Sequence, residues 1–554
     1  MACFAAGKPK SALLAAAAAA AAWLGLWPWA AAGAAAQDLQ AFAARTTVHV
    51  LANGWTFILV ERPVAPVFSF CTLANVGSAQ EVEGITGLAH MFEHMAFKGT
   101  EHVGTRDPEG ERKAMDAAEA AYQAWQAARL APCPPLAADP SGNAGSPKGD
   151  GDESSTAGLR CGSRRQQAKL DELYAEFKRR EEEAERFVVK NEFDEILSRA
   201  GAVGVNAATG SDETEYFYTL PANQIELFAY LESERFFHPV FREFYEERDV
   251  VQEERRMRVD GQPQGRLVEQ FVSTAFDAHT YHHPPIGYMS DLQAITRTDA
   301  EAFFRTYYVP SNMVTAIVGD IHPATLIPLL ETYFGRIPAR PAPPPLRTVE
   351  PPQTAEKTVV LEDPAQPLVL EAYHKPAVTD LDEPVYDAID DVLSGGRASR
   401  LYRSLVRDQK VAVEVESFSG LPGEKYPNLW AVLAVPAVGV SNDKVQAALR
   451  REIERLKAED VSDEELARFK ARARGALIHS LGSNLGLATQ LAEHQRLFGD
   501  WRELFRQLDR VERVSKADIR RVAAQVFRPT DRTTGVIVTR QPAAAAAPAK
   551  HRPS

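Results

Sequence analysis

Two histidines four residues apart, His90 and His94, with Glu93 beside the second, are the residues of this chain best placed to do chemistry. On a helix, a separation of four puts both imidazoles on one face, where they can share a single cation. Glu93 lies close enough to that face to work on a water held by the cation. Two nitrogen ligands and a carboxylate base are the parts of metal-assisted hydrolysis. A catalytic zinc site usually takes three protein ligands and leaves one position for water, so a third ligand must come from elsewhere.

The segment Phe244 to Val259, FYEERDVVQEERRMRV, is strongly helical and acidic. Glu247 and Glu254 are seven apart and share a face, with Val250 and Val251 packing between them. Glu253 lies about 100° round the helix and points elsewhere. Taken alone, such a helix is a solvated face, and only the histidine pair makes its carboxylates candidate ligands. The other histidine-rich stretch, His279-Thr280-Tyr281-His282-His283, precedes Pro284-Pro285-Ile286-Gly287 and reads as a loop.

The elements that must position these groups follow from periodicity. Residues 47–60 alternate and then run apolar about Asn53-Gly54, which predicts a hairpin. A strand near 66–76, with Cys71 as a buried free thiol, precedes the histidine helix. Met115, Ala118, Tyr122 and Trp125 recur at helical spacing, as do Leu170, Leu173, Tyr174 and Phe177. They predict a charged helical hairpin over about 105–190, standing off the domain, with a Pro/Gly/Ser-rich loop at 131–163. Residues 339–354 form a semi-rigid proline linker, and the Ala/Pro tail at 541–554 reads as disordered.

The two sides of the linker read as a diverged repeat. Leu73 to Gly99 matches Leu370 to Gly396 at an offset of 297, and Tyr308 to Asn312 matches Phe527 to Asp531 at 219. The drop in offset assigns the excess to the first half, at about the length of the helical insert. His90, Glu93 and His94 then face Asp387, Asp390 and Asp391, so the second half keeps the helix and lacks the histidines.

The 554 residues suffice for two or more domains, and 25% charged with 45% hydrophobic residues is ordinary for globular protein. Lys8 and Lys10, the apolar run Leu13–Trp29 and Ala34-Ala35-Ala36 read as an export signal over residues 1–36, with a retained anchor as the alternative. Cleavage takes the net charge from −13 to −15 by removing two lysines, which argues against a nucleic-acid partner. In an oxidising compartment, periplasmic or secreted, Cys133 and Cys161 are a disulfide candidate pair across the insert loop.

His90-Met91-Phe92-Glu93-His94-Met95-Ala96-Phe97-Lys98-Gly99-Thr100 has the H-x-x-E-H order of inverzincins. It resembles the active-site helix of the pitrilysin/insulinase family, above all its mitochondrial-processing-peptidase branch. The resemblance continues through Asn206-Ala207-Ala208-Thr209, Thr214-Glu215-Tyr216 and Glu247 to Glu254, and it covers most of residues 45–540. It implies an α+β fold of two homologous α/β-sandwich-like domains, each a mixed sheet with flanking helices. These are a catalytic domain over 45–338 carrying the insert and a second over 355–540 without the metal site.

By the same resemblance His90, His94 and Glu254 bind one Zn2+ per chain, Glu93 is the catalytic base, and Glu247 orients a ligand. The implied activity is zinc-dependent endopeptidase action on peptide substrates; the alternative is a non-catalytic peptide-binding or structural subunit. Asn206 and Ala207 on a strand edge, and Arg407, are the implied substrate-binding residues. The 160 residues from His94 to Glu254 are about twice the family's usual gap, an excess the insert accounts for. A second departure is Glu414, which stands where a tyrosine seven residues after the arginine is expected. A carboxylate cannot donate to an oxyanion. The expected assembly is therefore a dimer with a related zinc-free subunit supplying an Arg/Tyr pair, or alternatively a homodimer.

Overall fold

The computed structural model describes residues 39–131 and 164–540. The export segment 1–36, the Cys133–Cys161 pair and the tail from 541 lie outside the described residues. Among the described residues eleven strands fall into two sheets. In the first half they are β1 (Thr46–Val50), β2 (Thr56–Glu61), β3 (Val67–Ala74), β4 (Val203–Thr209), β5 (Thr214–Pro221) and β6 (Met313–Gly319). In the second half they are β7 (Lys357–Asp363), β8 (Leu368–Lys375), β9 (Ala412–Leu421), β10 (Asn428–Pro436) and β11 (Arg532–Thr539). The predicted hairpin is β1–β2, paired antiparallel, with Gly54 at φ +100° supplying the left-handed turn residue. The predicted second strand is β3, and Cys71 within it is buried and unpaired.

The repeat is visible in the topology. The first sheet runs β1-β2-β6-β3-β5-β4 and the second β7-β11-β8-β10-β9. Once β1 is set aside the two orders match strand for strand, including a single parallel pair in each, β2 with β6 and β7 with β11. Each sheet is mixed for the same reason: its last strand returns to the centre and pairs parallel to the first.

The halves are interlocked through two helices. Pro263–Ala275, from the first half, lays Leu267, Phe271, Val272 and Ala275 on Leu368, Leu370 and Ile537 of the second sheet. Asn484–Phe498, from the second half, lays Leu487, Ala488, Leu491 and Ala492 on Ile58, Cys71, Leu73 and Val318 of the first. Each sheet thus buries one face under a helix of the other half, and burial at about 25 cal/mol per Å² of apolar surface resists their separation. Among the described residues no helix is long and apolar enough to cross a membrane.

The hairpin helices, Pro108–Leu130 and Arg164–Glu185, pack along each other. They do not stand off the domain. Tyr122 is fully buried and its ring centroid lies 4.1 Å from that of Tyr245 on the acidic helix, Phe244–Arg255. Ala118 and Phe177 are buried in the same region, as their helical spacing predicts.

Two of the three matching aspartates of the second half are structural, while Asp387, at the place of His90, is exposed. Asp390, at the place of Glu93, accepts the Trp430 indole N–H at 2.5 Å and the Ser419 hydroxyl at 3.3 Å, and burial pushes its carboxyl up to about 7. Asp391, at the place of His94, accepts from Arg472 at 3.0 Å.

The exchanged helix can be tested at its closest approach. A Cβ added at Gly535 on β11 would lie 2.8 Å from Phe271 Cδ2 and 3.2 Å from Leu267 Cδ1. Gly535→Ala should cost about 1–3 kcal/mol as an overpacked contact, read as a lower denaturant midpoint with metal content unchanged.

Candidate active site

The motif helix, Leu88–Met95, forms because Leu88, Ala89, Met91, Phe92 and Met95 supply a buried apolar face. Its N-terminus has no side-chain cap of its own. Gly87 enters at φ +93°, where a Cβ would strike Ile286 O and Leu292 Cδ2, both at 2.8 Å. The buried Glu81 carboxylate takes the capping role, accepting Gly87 N–H at 2.8 Å and Ala89 N–H at 2.7 Å. Burial pushes this carboxyl up to about 8 against the pull of the two N–H groups, so it caps by accepting hydrogen bonds rather than by a full charge.

The acidic helix crosses this helix and continues as a π-helical turn, Arg256–Asp260. The crossing brings His90, His94 and Glu254 together, with one donor atom from each within 4.8 Å of the others. Glu254 Oε2 lies 3.8 Å from His90 Nε2 and 3.4 Å from His94 Nε2. Tetrahedral zinc with bonds near 2.0–2.1 Å sets its ligand atoms about 3.3 Å apart, so the donor set and its spacing fit zinc. Glu254 Oε1 is turned the other way, to Arg258. Glu247 Oε2 lies 3.2 Å from His94 Nδ1, on the far side of that ring. A carboxylate there fixes the tautomer that presents Nε2 to a metal.

Lys98 Nζ bonds Glu247 and lies 3.1 Å from Glu243, so Glu247 is held between a histidine and a lysine. Glu253 bonds Arg256 instead, away from the cluster, as its helical position predicts. Val251 is buried beneath the pair of glutamates, but Val250 is exposed and does not pack between them.

The charges of the trio are set by these neighbours. Burial pushes His90 down to about 4. For His94 burial works against the charge, but the hydrogen bonds to Glu247 and Glu254 outweigh it and hold the ring up to about 9. Burial also opposes ionisation of Glu254, yet His94, His90 and Arg258 together hold it down to about 2. Without metal the site is therefore a neutral His90, a charged His94 and a carboxylate. Glu93 is half-buried, and burial raises its carboxyl against the opposing pull of Thr209 and His94. Its Oε2 has no hydrogen-bond partner of good geometry, and neither has the Thr209 hydroxyl beside it.

The substrate-binding expectations divide. β4 is an edge strand, and its ladder to β5 is interrupted between Val203 and Asn206. Asn206 is exposed there and Ala207 is buried. A cavity of about 310 Å³ adjoins it, lined by Phe97, Asp194, Ser198, Ala202, Val205 and Asn206. Arg407 bonds only its neighbour Asp408, at 2.7 and 3.1 Å, and touches none of the trio. The loop histidines form no metal cluster: His282 bonds His279 O and Glu83. A second acidic group, Glu185, Glu243 and Glu246, already holds Lys190, 2.7 Å from Glu185 and 3.5 Å from Glu243.

Lys98, Arg258 and Glu81 are the site residues that sequence reasoning missed. Arg258 stands four beyond Glu254, a spacing that flags a helical partner. Lys98 lies past the end of the motif helix and reaches Glu247 and Glu243 on a distant segment, which no local spacing flags. Nothing in the pattern flags Glu81.

Comparison with known proteins gives the same picture. Residues 57–124 match the model of the insulinase family (peptidase family M16), and residues 294–473 match that of the M16 inactive domain. Zinc protease PqqE of Helicobacter pylori (strain ATCC 700392 / 26695) is 31% identical over 357 residues, 62% of this chain and 78% of that protein. The crystal structure of a protease from Helicobacter pylori superposes with a TM-score of 0.70 at 24% identity, covering 89% of this chain and 99% of that one. The periplasmic protease PqqL from Escherichia coli superposes with a TM-score of 0.62 at 16% identity, covering 90% of this chain and 48% of that one. At these identities the two structures speak for the fold alone.

Metal uptake has a definite pH dependence. His94 keeps a proton until about pH 9, whereas His90 has lost its proton above about 4 and Glu254 above about 2. Between pH 6 and 8 zinc must displace one proton, from His94, so affinity should rise about tenfold per pH unit and level off above 9. Chelator competition at several pH values measures this slope, and a flat profile contradicts it.

Proposed function

We propose that this chain, which belongs to the insulinase family of peptidases (peptidase family M16), is a zinc-dependent endopeptidase acting on peptides or unfolded segments. The observation that carries the reading is the meeting of His90, His94 and Glu254 beside the half-buried carboxylate of Glu93. The name of the PqqE relative, a zinc protease, supports it.

Zinc held by His90, His94 and Glu254 would supply a Lewis acid that polarises the scissile carbonyl and makes water a nucleophile near neutral pH. The chain's own residues do the rest. Glu93 Oε2 takes the proton of the attacking water and returns it to the departing amine; its raised pKa makes it the stronger base. Glu247, braced by Lys98, keeps the His94 ring in one tautomer and orientation. The free edge of β4 accepts the substrate as an added strand through main-chain hydrogen bonds. Asn206 holds the substrate backbone, and the adjoining cavity is wide enough for a side chain.

The second reading, a non-catalytic peptide-binding or structural subunit, draws on the inactive-domain match. That match begins at residue 294, beyond all four of His90, Glu93, His94 and Glu254.

The working enzyme is a dimer in this proposal. The chain corresponds to 48% of the length of PqqL, so two chains of this size equal one such protein. Arg407 is exposed and paired to Asp408, and Glu414 is exposed on the edge strand β9. A related zinc-free partner then supplies the Arg/Tyr pair; a homodimer is the alternative. The chain is exported, a reading supported by the sequence of residues 1–36 and by its likeness to PqqL, a periplasmic protease.

Glu93→Gln should keep its zinc and lose at least about 100-fold in cleavage of a quenched peptide. Zinc retained with cleavage at the parent rate overturns the assignment of the base. Cleavage by the isolated chain should rise when a related chain bearing the Arg/Tyr pair is added. Full activity from a chain that stays monomeric at every concentration counts against the dimer.

A further inference from the structure

The acidic helix is held from two sides. Glu247 and Glu254 face the motif helix, while Tyr245, Arg248 and Gln252 face the hairpin insert. On the hairpin side the contacts are buried polar bonds at regular intervals. Arg242, just before the helix, donates to both oxygens of Glu111 at 2.8 and 2.9 Å. The Tyr245 hydroxyl donates to Glu119 at 2.7 Å. Arg248 donates to the Tyr122 hydroxyl and, at 3.2 Å, to Ile295 O. Glu111, Glu119 and Tyr122 lie on one face of Pro108–Leu130, and they are 2%, 6% and 0% exposed. Parting a pair buried this deeply leaves an uncompensated charge, so each of these pairings resists displacement of the helix that carries it.

Arg242 joins three elements. Besides Glu111 it bonds Lys98 O, Val103 O at 2.8 Å and Thr100 O at 3.0 Å, which belong to the turn that ends the motif helix. The next residue, Glu243, enters the acidic helix at φ +57°, a left-handed conformation that an L side chain adopts only against steric strain. Its side chain accepts from Lys98, and Lys98 bonds Glu247. An unbroken run of bonds thus connects the insert to the His94 ring.

We propose that the hairpin insert is a positioning clamp for the metal site: Glu111, Glu119 and Tyr122 fix the angle and depth of the acidic helix and so the placing of Glu254 and Glu247 against the histidines. The inference rests on the zinc-peptidase reading and gives the insert a role within it. The clamp residues touch neither metal nor substrate, so they act through the ligand-bearing helix. Loosening them should hasten zinc loss and lower kcat while KM holds.

The test is the double variant Tyr122→Phe/Tyr245→Phe, which removes two hydroxyls with their bonds to Arg248, Gln293 O and Glu119 and keeps the rings that pack the hairpin. Zinc release is timed in the presence of excess chelator, with peptide cleavage measured in parallel. Release should be about tenfold faster than in the parent, the scale at which outer partners of metal ligands act. The melting temperature should fall as well, since Arg248 and Glu119 each lose a buried partner. A purely structural loss, however, leaves zinc release from the folded protein at the parent rate. Lys113→Ala, an exposed change on the same helix, should likewise release zinc at the parent rate. A single Tyr245→Phe variant gives a smaller effect of the same sign should the double variant fold poorly. A parent that binds zinc and a double variant that releases it no faster overturn the clamp while leaving the peptidase reading intact. A parent that binds no zinc removes both.

Discussion

Everything in this protein depends on one helix crossing. The motif helix and the acidic helix come from segments 160 residues apart, yet Glu254 must sit within 4 Å of two imidazoles on the other helix. No covalent tie enforces this. A displacement of about 1 Å is enough to spoil a ligand set or a reacting geometry. Much of the first half therefore serves to restrain the two helices. Glu81 pins one N-terminus, Arg242 ties one helix's end to the other's beginning, and Val251 fills the gap beneath.

The site's charges alternate outward from the metal position: His94, Glu247, Lys98, Glu243, Lys190 and Glu185. The inner members are mostly shielded, where opposite charges attract strongly but each alone would be costly. Lys190 and Glu185 are about half exposed, and pairs of that kind contribute little. Rigidity is thus concentrated at the centre, and the periphery is free to vary. The two exchanged helices extend the principle to the whole molecule, since neither half can shift without exposing an apolar sheet face.

How much of this was legible depended on whether a signal was local. The histidine spacing, the acidic helix, the β1–β2 hairpin and the repeated helix bearing aspartates all follow from periodicities of two or 3.6 within one segment. The exchange of Pro263–Ala275 and Asn484–Phe498 does not, because an apolar stripe says that a helix is covered but not by which sheet. The insert misled for a related reason. The hairpin reads as charged and standing off the domain, yet its Glu111 and Glu119 are buried because Arg242 and Tyr245, over 120 residues later, come to meet them. Likewise Val250 shares the glutamates' side of the helix but faces outward, since Val251 alone fills the space below.

The second half shows what the same helix becomes without a metal to hold. Asp390 occupies the place of Glu93 in a sheet-and-helix frame of identical topology. There a carboxylate acquires neutral donors, the Trp430 indole and the Ser419 hydroxyl, and becomes an ordinary buried polar group. In the first half the corresponding carboxylate lies instead beside the trio His90, His94 and Glu254. Three groups spaced to hold a cation, where the second half carries aspartates, are what separates the first half from its structural twin.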